Sequence, residues 1–335
     1  MTTTPNTEKK RIEWIDTAKG ICIILVVLNH VFLFSGLKNS CPSFIYHFFD
    51  AFRMPLYFFL SGLFFKTYGS FENFFKKKIN KLLIPFIFFY VASCFFRLVL
   101  NNGQSGHPSF VSFLVDFYYY HCLMVNGPIW FLLCLFEVNI IFYALFLVCR
   151  DENILCLLAL IIGVIGLTLS FYHIQLPMTI STSFTCLPFF CMGYYTKEHT
   201  QILYKSAMDK HILLIAAICG LICLFFSGNV LYVENSFTGI SYFTAHLCGG
   251  AGTMMVILLS KKIGPRPLVS YIGRYSIIVL CTHILVLDLI ITLLGISPLS
   301  YHFIWVFALI IAIEFILIPI MTKYLPHVTA QKDIL

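Results

Sequence analysis

The sequence predicts an all-α integral membrane protein, a bundle of about ten transmembrane helices. Hydrophobic residues make up 59% of the 335 residues and charged residues only 11%, whereas an average soluble domain is about 25% charged. Apolar runs of about 20 residues recur along the chain, and each is long enough to cross the roughly 30 Å hydrocarbon layer. The runs are continuous rather than alternating, which favours helices over an outer-membrane barrel.

Ten apolar segments account for this bundle. The first has a basic flank, but it is too long for a secretory signal and no small-residue cleavage site follows it, so we expect a permanent span. Residues 1–10 are expected to be a disordered cytoplasmic N-terminus, and residues 323–335 a cytoplasmic tail. The predicted spans are 13–35, 44–66, 82–101, 128–149, 153–172, 176–196, 211–228, 237–260, 271–294 and 301–322.

The basic residues predict the orientation of the bundle. An even number of spans places both termini on one side, and an excess of Lys and Arg marks the cytoplasmic side. Of the 22 lysines and arginines, only Lys38 falls in an outer loop, and Lys19, Arg53 and Arg97 fall within spans; all the others lie on the inner side. The net charge of +7 therefore reflects topology rather than nucleic-acid binding. We expect a multi-pass protein of a bacterial-type cytoplasmic (inner) membrane, surrounded by membrane lipids.

Cysteines and the large outer loop give weaker signals. The 13 cysteines lie mostly within spans, where free cysteine behaves as a small apolar residue, and no Cys/His spacing typical of a metal site occurs. Cys41 and Cys122 both fall on the predicted outer side, where a disulfide between them is an alternative to two free thiols. The outer loop 102–127 is rich in aromatic residues and contains His121. It could supply interfacial belt residues, a stacking floor for a sugar, or a lid.

Lys19 and His30 are the first functional candidates, because an ionisable side chain within a span is costly. They are eleven residues apart in the first span, which puts them on nearly the same helix face, about 16 Å apart along the axis. Lys19 would lie near the cytoplasmic boundary, and His30 beyond the midplane. Each alone fits a simpler explanation, a snorkelling lysine or an interhelical packing histidine. Their alignment along the membrane normal favours a shared function.

Other ionisable residues fall within the second, fourth and ninth spans. Asp50 and Arg53, at i,i+3, would form a structural ion pair or leave the guanidinium to bind phosphate or an oxyanion. Glu137 lies in the middle of its span, where it would be protonated or would orient a histidine. His283 also lies near mid-span, where interhelical packing is the alternative to a functional role.

A lysine cluster precedes the third span in "FFKKKINKLLIPF" and includes Lys77, Lys78 and Lys81. We expect this segment to be the inner loop between the second and third spans. Ordinary inner-side charge explains the clustering. The functional alternative is a clamp for a polyanionic cytoplasmic ligand.

Six segments of the chain carry motifs that together match one family of membrane proteins. In "RIEWIDTAKGICIILVVLNHV", Lys19 and His30 are a basic residue and a histidine with ten positions between them. In "KKKINKLLIP", Lys78 and Lys81 are a basic pair followed by a proline. The others are "RMPLYFFLSGLFF", "GPIWFLL", "PFFCMGYY" and "YSIIVLCTHILV". Together they resemble the acyltransferase type 3 family of membrane O-acyltransferases over residues 11–322, and "WFLLCLF" is most similar to its fucose 4-O-acetylase branch. The chain departs from the family in Asn29, where glycine is common, and in lysines where arginines are common.

The resemblance implies transfer of an acetyl group from cytoplasmic acetyl-CoA to a hydroxyl of a cell-surface or lipid-linked glycan, with succinyl as an alternative acyl group. The donor thioester would pass Lys19 and reach His30, which would act as general base or would carry the acetyl group itself. No metal is implied. The supporting roles implied are orientation of the imidazole by Glu137 or Asp50, donor binding by Lys77, Lys78, Lys81 and Arg53, and acceptor binding by Trp130, His283 and His121.

A transporter of a small molecule or lipid-linked sugar is the alternative from another class. It would also bury Lys, His, Arg and Glu within a bundle. Transporters often contain inverted repeats with broken helices. We find no internal repeat, and the ionisable residues concentrate in the first four spans, which favours the enzyme.

Overall fold

The computed structural model describes residues 12–35, 43–100, 110–119, 123–174, 176–200, 211–226, 241–295 and 303–335. Within these residues the chain is all α-helical. The helices, in chain order, are α1 (Glu13–Phe34), α2 (Ser43–Leu63), α3 (Phe71–Lys78), α4 (Ile84–Leu100), α5 (Phe110–Tyr119), α6 (Leu123–Asn126), α7 (Trp130–Val148), α8 (Glu152–Phe171), α9 (Ile180–His199), α10 (Ile212–Phe226), α11 (Ser241–Ile263), α12 (Pro267–Arg274), α13 (Ser276–Leu294) and α14 (Phe303–Tyr324).

Each predicted span coincides with a long helix, so the predicted all-α membrane fold is confirmed. In the described part of the chain, seven helical segments are long and apolar enough to cross a membrane. α2, α9 and α10 fall outside that set. α2 carries Asp50 and Arg53, α9 is rich in Ser and Thr, and α10 has 15 described residues. The count of ten spans and the cytoplasmic position of both ends stay predictions.

The lysine cluster is helical rather than a loop. α3 begins at a cap in which the Ser70 hydroxyl accepts a hydrogen bond from the Asn73 amide at 3.2 Å, and it buries Phe74 while Glu72 and Lys76 are exposed. A π-helical turn, Ile79–Leu83, then joins α3 to α4. Pro85 has no amide hydrogen, and the wider turn directly before it accommodates that gap in the helix. The segment 71–99 is therefore one continuous helical rod.

α1 is the central helix and packs against α2, α11, α12, α13 and α14. Its crossing with α12 is very close, because a Cβ atom added at Gly273 would overlap the Asp16 carbonyl oxygen. The Thr17 hydroxyl pairs with the Ser270 hydroxyl at 2.9 Å and donates to the Gly264 carbonyl at 3.0 Å. These contacts hold the end of α12, and hence Arg274, beside the first turns of α1.

Candidate active site

A cavity of about 390 Å³ opens at the end of α1 that carries Lys19. Four cationic side chains line it, namely Lys19, Lys78, Lys81 and Arg274. The other walls are mainly apolar or aromatic and come from α1, α2, α7 and α13. They include Ile23, Tyr57, Phe131 and Leu280. The arrangement suits a ligand with an anionic end and an apolar arm.

Lys19 is held at the cavity wall by the backbone around it. The Tyr57 hydroxyl donates a hydrogen bond to the Lys19 carbonyl at 2.9 Å, which fixes α2 against α1 at this level. Because Tyr57 also lines the cavity, the same side chain sets the helix spacing and forms part of the wall. The predicted position of Lys19 near one end of the first span agrees with this placement.

His30 lies further along α1, beyond the residues that line the cavity. Ile23, which lines the cavity, precedes it by seven residues, or about 10 Å along the helix axis. The His30 ring packs against the His283 ring of α13. The two ring centroids are 5.2 Å apart, and the ring planes are tilted by 49°. The structure thus brings together two of the predicted site residues from spans that are far apart in sequence.

Asp50 and Arg53 form a buried ion pair on α2. The Arg53 guanidinium also donates a hydrogen bond to the Leu25 carbonyl of α1 at 3.3 Å. Asp50 therefore compensates the guanidinium charge inside the bundle, and Arg53 links α2 to the helix that carries His30.

Glu137 of α7 is bound to α9. Its carboxylate accepts hydrogen bonds from the hydroxyls of Thr179 and Ser183, each at 2.7 Å, and from the Thr179 amide at 3.4 Å. These donors satisfy an acid that would otherwise be costly inside the bundle. The predicted role in orienting His30 stays a prediction.

Trp130 is buried at the start of α7, where its ring packs edge-on against Phe131. The preceding Asn126 donates hydrogen bonds to the Cys281 carbonyl at 2.9 Å and to the Ser93 hydroxyl at 3.0 Å. Cys281 is two residues from His283 on α13, so this contact places the start of α7 near that histidine. His121, Cys41 and Cys122 lie outside the described residues, so their predicted roles stay predictions.

The lysine cluster contacts the segment 325–335. Asp333 pairs with Lys77 at 2.6 Å and with Lys81 at 3.0 Å. Hydrogen bonds from these two lysines lower the pKa of the Asp333 carboxyl. Lys81 also donates to the Ala330 carbonyl at 2.6 Å. Lys78 lines the cavity together with Lys81. The Lys78 ammonium lies 5.3 Å from the Phe74 ring centroid.

Several residues of the site were missed by the sequence analysis. Arg274 was assigned only to inner-side charge, and Tyr57 and Asn80 carried no signal. The buried Glu314 of α14, whose two carboxylate oxygens lie 2.7 and 3.0 Å from the Thr282 hydroxyl, was not predicted. A systematic search for acids within spans would have found Glu314. Within the described ranges, no group of three or more His, Cys, Asp or Glu side chains is arranged to hold a metal ion.

Comparisons with known proteins cover most of the chain. The model of a family described as an acyltransferase domain, the type 3 family, matches residues 12–322. The chain is also similar to the nodulation protein NolL of Sinorhizobium fredii, with 27% identity over 224 residues. That alignment covers 61% of this chain and 55% of NolL, so the chain spans about half the length of this relative. No solved structure matches.

Proposed function

The chain belongs to the acyltransferase type 3 family, and from this premise we propose that it moves an acetyl group from cytoplasmic acetyl-CoA to a hydroxyl of a cell-surface or lipid-linked glycan. The family and the apolar helices make it a multi-pass membrane acyltransferase. The donor, the acceptor and the residue roles belong to the proposal. The observation that carries it is the cationic cavity lined on α1 by Lys19 and Ile23, on the same helix that carries His30.

The cavity suits the donor in charge and shape. CoA carries its phosphates at one end and a flexible pantetheine arm at the other. The cavity volume of about 390 Å³ is at the low end of small-molecule sites, roughly 300–1,000 Å³. We expect it to hold the arm, while Lys78, Lys81 and Arg274 bind phosphates at the mouth. Lys77 and Lys19 would add charge at the two ends of that path.

His30 would act where donor and acceptor meet. Its unprotonated nitrogen would take the acceptor hydroxyl proton as that oxygen attacks the thioester carbonyl. The tetrahedral intermediate would then expel the CoA sulfur, which would receive the proton from the imidazolium. A transient acetyl-imidazole on His30 is the alternative route. Succinyl is the alternative acyl group.

The remaining roles follow from position. Arg53 would stabilise the developing oxyanion or line the donor path, while Asp50 keeps its guanidinium in place. Trp130 and His121 are proposed to contact the acceptor. The family resemblance implies the same role for His283. Glu137 is proposed to orient the His30 imidazole, in addition to accepting the hydrogen bonds that link α7 to α9.

The decisive test is acetyl transfer in inverted membrane vesicles given labelled acetyl-CoA and acceptor glycan. We expect label in the glycan from the wild-type protein and, in His30→Ala, a loss of about 10²-fold or more, the usual range for general acid–base groups. Equal amounts of folded protein must be present in both samples. Activity of His30→Ala within a few-fold of wild type would refute the catalytic role. Movement of unlabelled acceptor across the membrane would support a transporter.

The donor site has its own matched test. The double variant Lys78→Ala/Lys81→Ala should raise the KM for acetyl-CoA more than that for the acceptor. The control is Lys197→Ala/Lys262→Ala, which removes the same charge from the predicted inner side but outside the cavity lining. If both double variants changed the KM for acetyl-CoA equally, the lysine cluster would have no specific role in donor binding and would serve only the membrane topology. Mass spectrometry of the glycan with and without the gene would identify the acyl group.

A further inference from the structure

His283 has one ring nitrogen with a defined partner and one without. Its Nδ1 lies 2.6 Å from the Val279 carbonyl oxygen one turn earlier on α13. A carbonyl oxygen can only accept a hydrogen bond, so Nδ1 carries the proton and the neutral ring presents a lone pair at Nε2. His283 is 1% exposed, and its Nε2 has no hydrogen-bond partner within the described residues. An unsatisfied buried acceptor of this kind is costly.

The ring packed against that of His283 is His30. The two ring centroids are 5.2 Å apart and tilted by 49°, a separation that allows a direct N–H···N hydrogen bond when a nitrogen of each ring points toward the other. α14 also packs against α1 near this position, where the Phe32 and Phe303 ring centroids are 5.1 Å apart. The position of His30 is therefore fixed by packing from more than one helix.

We propose that His283 is a positioning residue that selects the tautomer of His30. This rests on the proposed function of His30. If one His30 nitrogen donates its proton to Nε2 of His283, the other must carry the lone pair that receives the acceptor proton. When the other nitrogen is protonated during the reaction, the first N–H keeps its hydrogen bond to His283. The Val279 carbonyl, acting through a neutral histidine, thus takes the place that a carboxylate holds in many catalytic dyads.

The proposal is tested with two variants that differ in hydrogen-bonding capacity. His283→Gln places an amide oxygen near the position of Nε2 and should retain a substantial part of kcat. His283→Leu fills similar volume with no acceptor and should lower kcat by about tenfold or more with little change in either KM. Folded yield in detergent and binding of CoA are measured for both, because a folding defect would lower all values together.

The outcomes separate this inference from the function on which it rests. Full activity of His30→Ala would refute the base itself. A wild-type kcat in His283→Leu, with His30→Ala inactive, would overturn the positioning role alone. A higher acceptor KM with unchanged kcat would also overturn it, and would make His283 an acceptor contact as the sequence predicts. Equal losses in His283→Gln and His283→Leu would reduce its role to packing.

A second inference comes from the segment 325–335, which folds back onto the lysine cluster. Asn80 in the π-helical turn accepts hydrogen bonds from the amides of Ile334 at 2.7 Å and Leu335 at 3.1 Å. Ala330 and Gln331 line the cavity beside Lys78 and Lys81. The segment is thus a wall of the candidate donor site.

The Asp333 carboxylate occupies the place of an anionic ligand, since it lies 2.6 Å from Lys77 and 3.0 Å from Lys81. We infer that Asp333 and a donor phosphate compete for these two lysines, so that the segment 325–335 acts as a lid that the donor must displace. This rests on the donor site proposed above. The side chains in contact are about one-third exposed, so we expect a modest barrier to displacement rather than a permanent block.

Binding of CoA to the His30→Ala protein measures this competition without turnover. Asp333→Asn should bind CoA about two- to fivefold more tightly, the range expected for the loss of an exposed ion pair. Glu198→Gln is the control, because it removes the same charge from an exposed pair with Lys197. Equal affinities in Asp333→Asn and the control, or weaker binding in Asp333→Asn, would overturn the competition. Absence of CoA binding in every variant would instead refute the donor site.

Discussion

Buried acids show how single side chains are tolerated inside the bundle. Glu137 accepts hydrogen bonds from Thr179 and Ser183, and both carboxylate oxygens of Glu314 lie within hydrogen-bond distance of the Thr282 hydroxyl. In both cases hydroxyl groups on a neighbouring helix supply the donors. Such pairs link helices where the hydrophobic effect does not drive their association. Each acid therefore has a structural function that is independent of any role in catalysis.

Replacement of Glu137 separates that structural function from the predicted catalytic one. Glu137→Ala would leave the Thr179 and Ser183 hydroxyls without their acceptor and should lower the free energy of unfolding by about 1–3 kcal/mol. Glu137→Gln retains an acceptor oxygen and should lose less. Thermal unfolding of the detergent-solubilised protein measures both, with the exposed Glu198→Gln as control. Loss of acetyl transfer in Glu137→Gln at unchanged melting temperature would contradict the structural account and support catalysis.

The sequence predicted which residues are costly and paired Asp50 with Arg53 on one helix, but it did not predict partners on other helices. The helix period alone aligned Lys19 with His30. The approach of His30 to His283 depends on α1 packing against α13, a long-range property that no local pattern encodes. The pairing of Arg97 with Asp288 at 2.9 Å is of the same kind. So is the contact between Asp333 and the lysine cluster.

Two of the family-like segments pack directly against each other. "RMPLYFFLSGLFF" lies on α2 and "PFFCMGYY" on α9, and these helices cross closely. A Cβ atom at Gly62 would overlap the Phe190 carbonyl oxygen, and one at Gly193 would overlap the Phe59 carbonyl oxygen. Small residues permit this backbone approach in membrane helices. The two glycines therefore belong to one crossing, which holds α2 and thus Tyr57 and Arg53 in place.

Substitution at this crossing should disrupt the bundle. Gly193→Leu or Gly62→Val forces α2 and α9 apart, and overpacking of this kind costs about 1–3 kcal/mol or more. We expect a lower melting temperature and less monodisperse protein on size-exclusion chromatography. Gly250→Ala on α11 is the control, because its nearest neighbour would be the Met192 sulfur at an ordinary 3.7 Å. If Gly193→Leu melted like Gly250→Ala, the close crossing would be wrong.

Helix positions were predictable from length and apolarity, whereas polar helices were not. All ten predicted spans coincide with helices because each has a long apolar run. The helical segment 71–81 was predicted as part of a loop, since its lysines interrupt the apolar pattern. Its helical form depends on the burial of Phe74 against Phe65 and Tyr143, and Tyr143 is distant in sequence. This is the element that presents Lys78 and Lys81 to the cavity.

Charge distribution and cavity position agree for the molecule as a whole. The positive-inside pattern predicts that the lysine-rich segments lie in the cytoplasm. The cavity lined by Lys19, Lys78, Lys81 and Arg274 lies at the end of α1 that is predicted to face the cytoplasm. A cytoplasmic acyl-CoA would therefore reach the cavity without crossing the membrane, and His30 would lie toward the acceptor side. This alignment requires the predicted even number of spans.

Reporter fusions test that requirement. Alkaline phosphatase, active only outside the cytoplasm, and green fluorescent protein, which fluoresces inside it, would each be fused after residues 68, 104, 175, 264 and 298. Ten spans with cytoplasmic ends predict fluorescence at 68 and 264 and phosphatase activity at 104, 175 and 298. Position 264 is decisive because it lies after α9, which is not among the seven helical segments that are long and apolar enough to cross a membrane. Phosphatase activity at 264 together with fluorescence at 68 would mean an odd number of spans between the lysine cluster and α12. The basic residues of α12, including Arg274, would then face away from the cytoplasmic donor, and the shared cavity could not serve it.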